Sequence, residues 1–161
     1  MSNSLEGKIA VVTGASRGIG RAIALTLASR GAAVIINYNG SKDRAEEVKQ
    51  EIEATGGKAS IYQCNVSEYE KCETFIQDII KEYGRIDILV NNAGITRDGL
   101  LMKMSEADFD QVVDTNLKGA FNTIRFASRQ MLKQRSGRVI NMSSVVGVTG
   151  NAGQANYAAS K

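Results

Sequence analysis

Five short runs dominated by Val and Ile, at 8–12, 33–37, 59–63, 86–90 and 138–142, are spaced too widely along the chain for hairpins. Their unbroken apolar character, without polar alternation, predicts strands mostly buried on both faces. The stretches between them carry helical spacing instead. Cys72, Phe75, Ile76, Ile79, Ile80 and Tyr83 form one apolar stripe, and Phe109, Val112, Val113, Leu117, Phe121 and Ile124 form another. Each predicts an amphipathic helix with that stripe inward. Punctuation agrees with this division. Ser67 to Glu70 and Ser105 to Asp108 have the Ser-x-x-acid form of a helix start, and Gly31, Gly56, Gly84 and Gly137 follow periodic segments as helix stops. Strands alternating with helices require parallel pairing through right-handed crossovers, so the pattern predicts a doubly wound α/β sandwich. No linker or repeat interrupts it, and 161 residues suit one core, so residues 1–161 read as a single domain.

Composition narrows the chemistry. There is no histidine, which excludes mechanisms that need imidazole as base or metal ligand and leaves Tyr, Lys and carboxylates for proton transfer; no metal site is expected. A net charge of +3 is too small and dispersed for a nucleic-acid footprint. Cys64 and Cys72 match neither a redox-pair nor a zinc-ligand spacing and read as buried small hydrophobes. The first eight residues hold no signal-peptide core and no apolar run approaches a membrane span, which predicts a cytoplasmic protein.

Directly after the first predicted strand comes Thr13-Gly14-Ala15-Ser16-Arg17-Gly18-Ile19-Gly20, running into a helical stretch. Strand, glycine turn and helix stand in the order of a phosphate site. Glycines allow a sharp turn and close approach, while free N–H groups and the helix dipole stabilise negative charge. The sandwich is thereby expected to be of the Rossmann type, binding a dinucleotide. The alternative is a glycine turn that merely packs helix on strand. At the end of the second strand an acidic residue would bind the adenosine ribose of NAD, but 37–42 reads NYNGSK without a carboxylate. With Arg17 in the loop and Ser41 and Lys42 nearby, a 2′-phosphate is favoured, hence NADP(H); solvated surface charges are the competing reading. Asn37 opens this segment. Asn65 and Val66, after the third strand, stand where such a sheet places its ligand crevice.

Three further motifs follow in order: Asn91-Asn92-Ala93-Gly94 after the fourth strand, Ser143-Ser144 after the fifth, and Tyr157-Ala158-Ala159-Ser160-Lys161. Reduction of a ketone needs a proton donor for the developing alkoxide, and a tyrosine can serve when a cation stabilises its phenolate. Lys161, four residues beyond Tyr157, shares its helix face, and the Ser144 hydroxyl can bond the substrate oxygen. With the glycine loop, these motifs resemble the short-chain dehydrogenase/reductase family over the entire chain. The runs 91–104 and 153–161 look most like its bacterial 3-oxoacyl-[acyl-carrier-protein] reductases.

That resemblance implies reduction of an acyl-carrier-protein-linked 3-oxoacyl thioester in fatty acid synthesis by a homotetramer. It implies Tyr157 as the acid and a cofactor contact, Lys161 as its modulator and ribose ligand, Ser144 as the carbonyl-orienting hydroxyl, and Asn116 as holder of a relay water. Asn116 has the alternative of a satisfied core asparagine. The resemblance also gives Asn92, Ala93 and Gly94 to the nicotinamide ribose and the central strand. Leu100, Leu101, Met102 and Met104 are open between contact with an acyl chain and core packing. Arg125, Arg129, Lys133, Arg135 and Arg138 form a basic stripe, with Arg129 and Arg135 as docking residues for the carrier protein or as an ordinary solvated face. Family members continue beyond the Tyr-Lys motif, so the fold is expected to be C-terminally incomplete at the active-site helix, with the fifth strand an unpaired edge. The rival expectation is a non-catalytic nucleotide-binding fragment, or a reductase of another ketone such as acetoacetyl-CoA, a sugar or a steroid.

Overall fold

The computed structural model describes residues 4–161. Five parallel strands, β1 (Ile9–Val12), β2 (Ala33–Tyr38), β3 (Lys58–Gln63), β4 (Ile88–Asn91) and β5 (Arg138–Asn141), lie in the order β3-β2-β1-β4-β5. The order reverses between β1 and β4, and an open α/β sheet opens its ligand crevice at such a switch point. Helices α1 (Gly18–Ser29) and α2 (Lys42–Ala54) cover one face, where Ala24, Ala28, Val48 and Ile52 meet Ala10, Val12, Val34 and Ile36. The other face carries α3 (Tyr69–Tyr83) and α5 (Gly119–Gln134), packing Phe75, Ile76, Ile79 and Ala127 against Val11, Ile35 and Leu89. Adjacent strand residues thus serve opposite faces, which is why these runs are continuously apolar.

The expectation of burial on both faces holds for β1, β2 and β4 and fails at the edges. β3 is half-buried and every residue of β5 is exposed, Val139 and Ile140 included, because among the described residues no strand lies beyond β5. The second predicted stripe also departs from expectation. It spans α4 (Glu106–Val113), a π-helical turn (Asp114–Lys118) and α5, and the wider turn rotates the face that follows it. Phe109, Leu117 and Phe121 face outward, while Asn116, Gly119, Asn122 and Thr123 face inward. That inward face is polar because it bonds neighbouring backbone and side chains: Asn122 Nδ2 donates to the Val66 carbonyl at 2.9 Å and Thr123 Oγ1 to Asn91 Oδ1 at 2.6 Å.

Ser105 caps α4 as its motif predicts, accepting the Asp108 N–H. Ser67 does not cap α3. Glu68 holds that position, and Ser67 instead donates its N–H and hydroxyl to Asn65 Oδ1. Gly84 ends α3 in the left-handed region, but α5 ends on Arg135 at φ 54° rather than on Gly137. A Cβ on Gly137 would lie 2.6 Å from the Met131 side chain, so close packing explains that glycine. The chain continues through α6 (Val146–Thr149) to α7 (Ala155–Ser160). Among the described residues no helix is long and apolar enough to cross a membrane.

Candidate active site

Beyond the carboxyl ends of the strands lies a crevice of about 660 Å³. It is bordered by Gly14, Ser16, Arg17, Gly18, Ile19 and Gly20 from the first turn and by Asn37 and Ser41 beyond β2. Asn65 and Val66 follow from β3, and Asn92, Ala93 and Gly94 from β4. All the residues that the sequence nominates for cofactor binding, apart from Lys42, Tyr157 and Lys161, therefore meet in one concavity. Lys42 is exposed and outside the lining.

The glycine turn is built for close approach. Gly14 adopts φ +61°, and a Cβ there would fall 2.9 Å from Ala93 Cα. A Cβ on Gly20 would lie 2.5 Å from Asn92 Nδ2 and 2.6 Å from the Gly14 carbonyl oxygen, whereas one on Gly18 would meet nothing within 4 Å. Gly20 therefore locks the turn against β4, while Gly18 leaves open space for a ligand. Helix α1 starts here with no side-chain cap and no acidic residue in its first turn, so its free N–H groups and dipole remain available to an anion.

Thr13, buried at the end of β1, is a residue that the sequence reading quoted but did not nominate. Its hydroxyl accepts the N–H groups of Asn92 and Ala93, each at 3.0 Å, and donates to the Val90 carbonyl at 3.3 Å. Asn92 Nδ2 returns bonds to the carbonyls of Thr13 and Gly14. A polar residue between a buried strand and a glycine turn, where its hydroxyl needs a partner, is the signal that could have marked it. Arg97, Gln111, Asp114 and Thr115 also border the crevice, and nothing in their periodicity marked them.

Three nominated asparagines prove to be scaffold, and of these Asn37 and Asn65 also line the crevice. Asn37 is buried, accepting from the Gly14 N–H at 3.2 Å and donating to the Cys64 carbonyl at 3.0 Å, so it ties three loops together. Asn65 closes its own turn through Ser67 and Glu68. Asn116, buried in the π-helical turn, accepts from the Ile95 N–H at 2.8 Å. Its Nδ2 donates to the Ile95 carbonyl at 3.0 Å and to Ser160 Oγ at 2.9 Å. Both amide protons are used, and Oδ1 retains a lone pair.

A second cavity of about 400 Å³ adjoins the first and shares Arg17, Ile19, Asn92, Gly94, Ile95 and Arg97 with it. Tyr157, Lys161 and Ser143 complete its wall. Lys161 Nζ lies 5.9 Å from the Tyr157 ring centroid and donates to the Met142 carbonyl at 2.7 Å. Burial pulls the Lys161 pKa below its ordinary value. The Tyr157 hydroxyl has no hydrogen-bond partner among the described residues, which leaves its proton for a ligand. Ser144 stands one residue beyond this lining, where its Oγ accepts the Val146 N–H at 3.2 Å. Asn156, next to Tyr157, is fully buried; it donates to the carbonyls of Arg97 and Asp108 and accepts the Tyr157 N–H.

Away from the crevice, Leu101 and Met102 are 73% and 87% exposed on a 3-10 turn, which removes core packing as their role. Arg125, Arg129, Lys133, Arg135 and Arg138 are all exposed. Cys64 and Cys72 are free and buried, as expected.

A strand-linked glycine turn, a switch-point crevice and a Tyr-x-x-x-Lys pair in the adjoining cavity together make a Rossmann-type architecture with two joined cavities. Residues 8–161 match the short chain dehydrogenase family, and the chain belongs to it. It is 56% identical over 154 residues to the 3-oxoacyl-[acyl-carrier-protein] reductase FabG of Staphylococcus aureus strain Mu50, which covers 96% of this chain and 63% of that protein. Against the FabG of Thermotoga maritima it is 48% identical over 157 residues, covering 98% and 63%. A metagenomic short-chain oxidoreductase crystallised with NADP superposes with a TM-score of 0.94 at 40% identity, over 98% of this chain and 72% of that one. A short chain dehydrogenase from Mycobacterium avium gives 0.91 at 39% identity, over 98% and 59%. The chain thus spans 63% of the length of these curated relatives.

Proposed function

We propose that residues 1–161 form the dinucleotide-binding and proton-donating unit of a cytoplasmic NADPH-dependent reductase, acting on 3-oxoacyl thioesters carried by acyl carrier protein. The observation that carries this reading is the junction of the glycine-turn crevice with the Tyr157 and Lys161 cavity through shared walls. Similarity to FabG proteins supports the substrate class.

NADPH, when bound, supplies the hydride. The residues that fit it are the uncapped start of α1 for the pyrophosphate, Arg17 and Ser41 for the 2′-phosphate, and Asn92 to Gly94 with Lys161 for the nicotinamide ribose. Ser41 makes no cap bond to α2 and is free to donate to a phosphate. Reduction at the 3-oxo carbon puts negative charge on its oxygen. The Tyr157 hydroxyl transfers a proton to that oxygen, and the Lys161 ammonium stabilises the phenolate left behind. Ser144, which uses its oxygen as acceptor for Val146, keeps its own proton to donate to the carbonyl oxygen. Asn116 fixes Ile95 and Ser160 around this centre, and its remaining Oδ1 lone pair suits a relay water.

The exposed basic residues Arg129 and Arg135 suit an acidic carrier protein, and the outward Leu117 and Phe121 suit subunit contacts in a homotetramer. Oxidation of NADPH with acetoacetyl-carrier protein, compared with free ketones and acetoacetyl-CoA, tests the proposal. Carrier-linked substrate is expected to turn over fastest, and equal or faster rates on a free ketone would overturn the substrate assignment. Tyr157→Phe is expected to lower the rate at least about a hundredfold while sparing nucleotide binding.

A further inference from the structure

Two thiols that sequence spacing does not pair are in contact in the fold. Cys64 Sγ lies 4.0 Å from Cys72 Sγ. Both backbones are held: the Cys64 N–H donates to the Tyr38 carbonyl at 2.9 Å, and the Cys72 N–H donates to the Glu68 carbonyl at 3.0 Å. Cys64 borders the 660 Å³ crevice, and Cys72 does not. Cys72 lies behind it in the first turns of α3, fully buried, with its S–H also within 3.2 Å of the Val66 carbonyl.

We propose that Cys64 and Cys72 constitute an oxidisable dithiol, which a small peroxide converts to an intramolecular disulfide in the crevice wall. The sulfurs must close from 4.0 Å to a bond of about 2.05 Å, a movement within reach of side-chain rotation when the sulfurs already touch. The two thiols are also unequal. Contact with the Cys72 sulfur shifts Cys64 towards ionisation against the effect of burial, while the same pairing and burial push Cys72 up. Cys64, the one of the two that borders the crevice, is the attacking sulfur.

Its thiolate attacks one peroxide oxygen, the O–O bond breaks, and a proton completes the departing water, leaving a sulfenic acid. Cys72 sulfur then attacks Cys64 sulfur, the S–O bond breaks, and the thiol proton leaves with the hydroxide as a second water. In sum, two thiols and one hydrogen peroxide become one disulfide and two waters. The bond ties the end of β3 to α3 across the Asn65 turn and removes the Cys72 bond to Val66, which retains its bond from Asn122.

The test uses the folded chain, hydrogen peroxide and intact-mass analysis under non-reducing conditions. Loss of two hydrogens is expected, with the count of titratable thiols falling from two to zero and full reversal by a dithiol reductant. Cleavage after Lys58, Lys71 and Lys81 separates the two cysteines, so peptides 59–71 and 72–81 should appear joined. In Cys72→Ser, oxidation should stop at a sulfenic acid on Cys64 that dimedone labels. Three results would overturn the proposal: both thiols surviving peroxide that oxidises the urea-unfolded chain, a covalent dimer as the product, or oxygen addition to Cys64 without linkage in the wild-type chain. None of these outcomes depends on catalytic activity.

Discussion

The two cavities of this molecule are built by different means. Around the glycine turn, backbone meets backbone: Gly14 and Gly20 sit where any Cβ would collide, and Thr13 and Asn92 interlock β1 with β4. Around Tyr157 the supports are single side chains reaching across gaps. Asn156, Asn116 and Gln154 hold the short α7, while the neighbouring β5 and α6 are largely exposed. A phosphate site made of backbone needs that density, since N–H groups must point at the ligand without side chains between. A proton donor needs an orientation fixed by few bonds and a hydroxyl left unspent.

The largest predicted disturbance strikes the dense region. Gly20→Val would force its side chain into Asn92 and the Gly14 carbonyl, costing at least about 3 kcal/mol by denaturant unfolding and abolishing nucleotide binding together. Asn156→Ala should cost about 2 kcal/mol, because it strands the carbonyls of Arg97 and Asp108. Its signature should be local, with faster amide exchange in α7 and a far smaller loss of nucleotide affinity than in Gly20→Val. If both variants lose binding equally, the division into two regions fails.

The far end of the sheet offers a control. Asp87, buried beneath β4, accepts from the Ile9 N–H at 2.9 Å and pairs with Arg85 and Lys8. Burial raises its pKa, but the Arg85 and Ile9 bonds and the Lys8 charge outweigh it and hold the carboxyl below the usual range. A depressed native pKa stabilises the fold above the unfolded value, near about 4, and that gain is lost as pH falls through the lower native value. Asp87→Asn should therefore destabilise by about 1.5 kcal/mol at neutral pH, with the deficit shrinking below pH of about 4. Unfolding midpoints across pH check this, and neither cavity should respond.

Continuous apolar runs and glycine punctuation made the strands, their parallel pairing and the crevice legible, because in a parallel sheet burial on both faces leaves a strong trace in composition. The inward face of the π-helical turn and α5 was legible only at Asn116. Asn122 and Thr123, like Asn116, are buried by bonds to partners distant in sequence, while Leu117 and Phe121 satisfy an apolar periodicity that points to solvent. The capping role of Ser67 failed for a similar reason, since Asn65 claims its hydroxyl first. Contact between Cys64 and Cys72 was likewise invisible to spacing, because a strand end and a helix bring them together. Ser144, Tyr157 and Lys161 were nominated by motif; their positions beside the nucleotide crevice come from the fold.

The central claim is that the crevice recognises a 2′-phosphate through Arg17 and Ser41. Its direct test is a fluorescence titration of this chain with NADPH and with NADH, repeated on Arg17→Ala. NADPH should bind at least about tenfold more tightly, a difference of about 1.4 kcal/mol, and the variant should lose most of that preference while binding NADH as before. Equal affinity for the two nucleotides in the wild-type chain, or a preference that survives Arg17→Ala undiminished, would contradict the account.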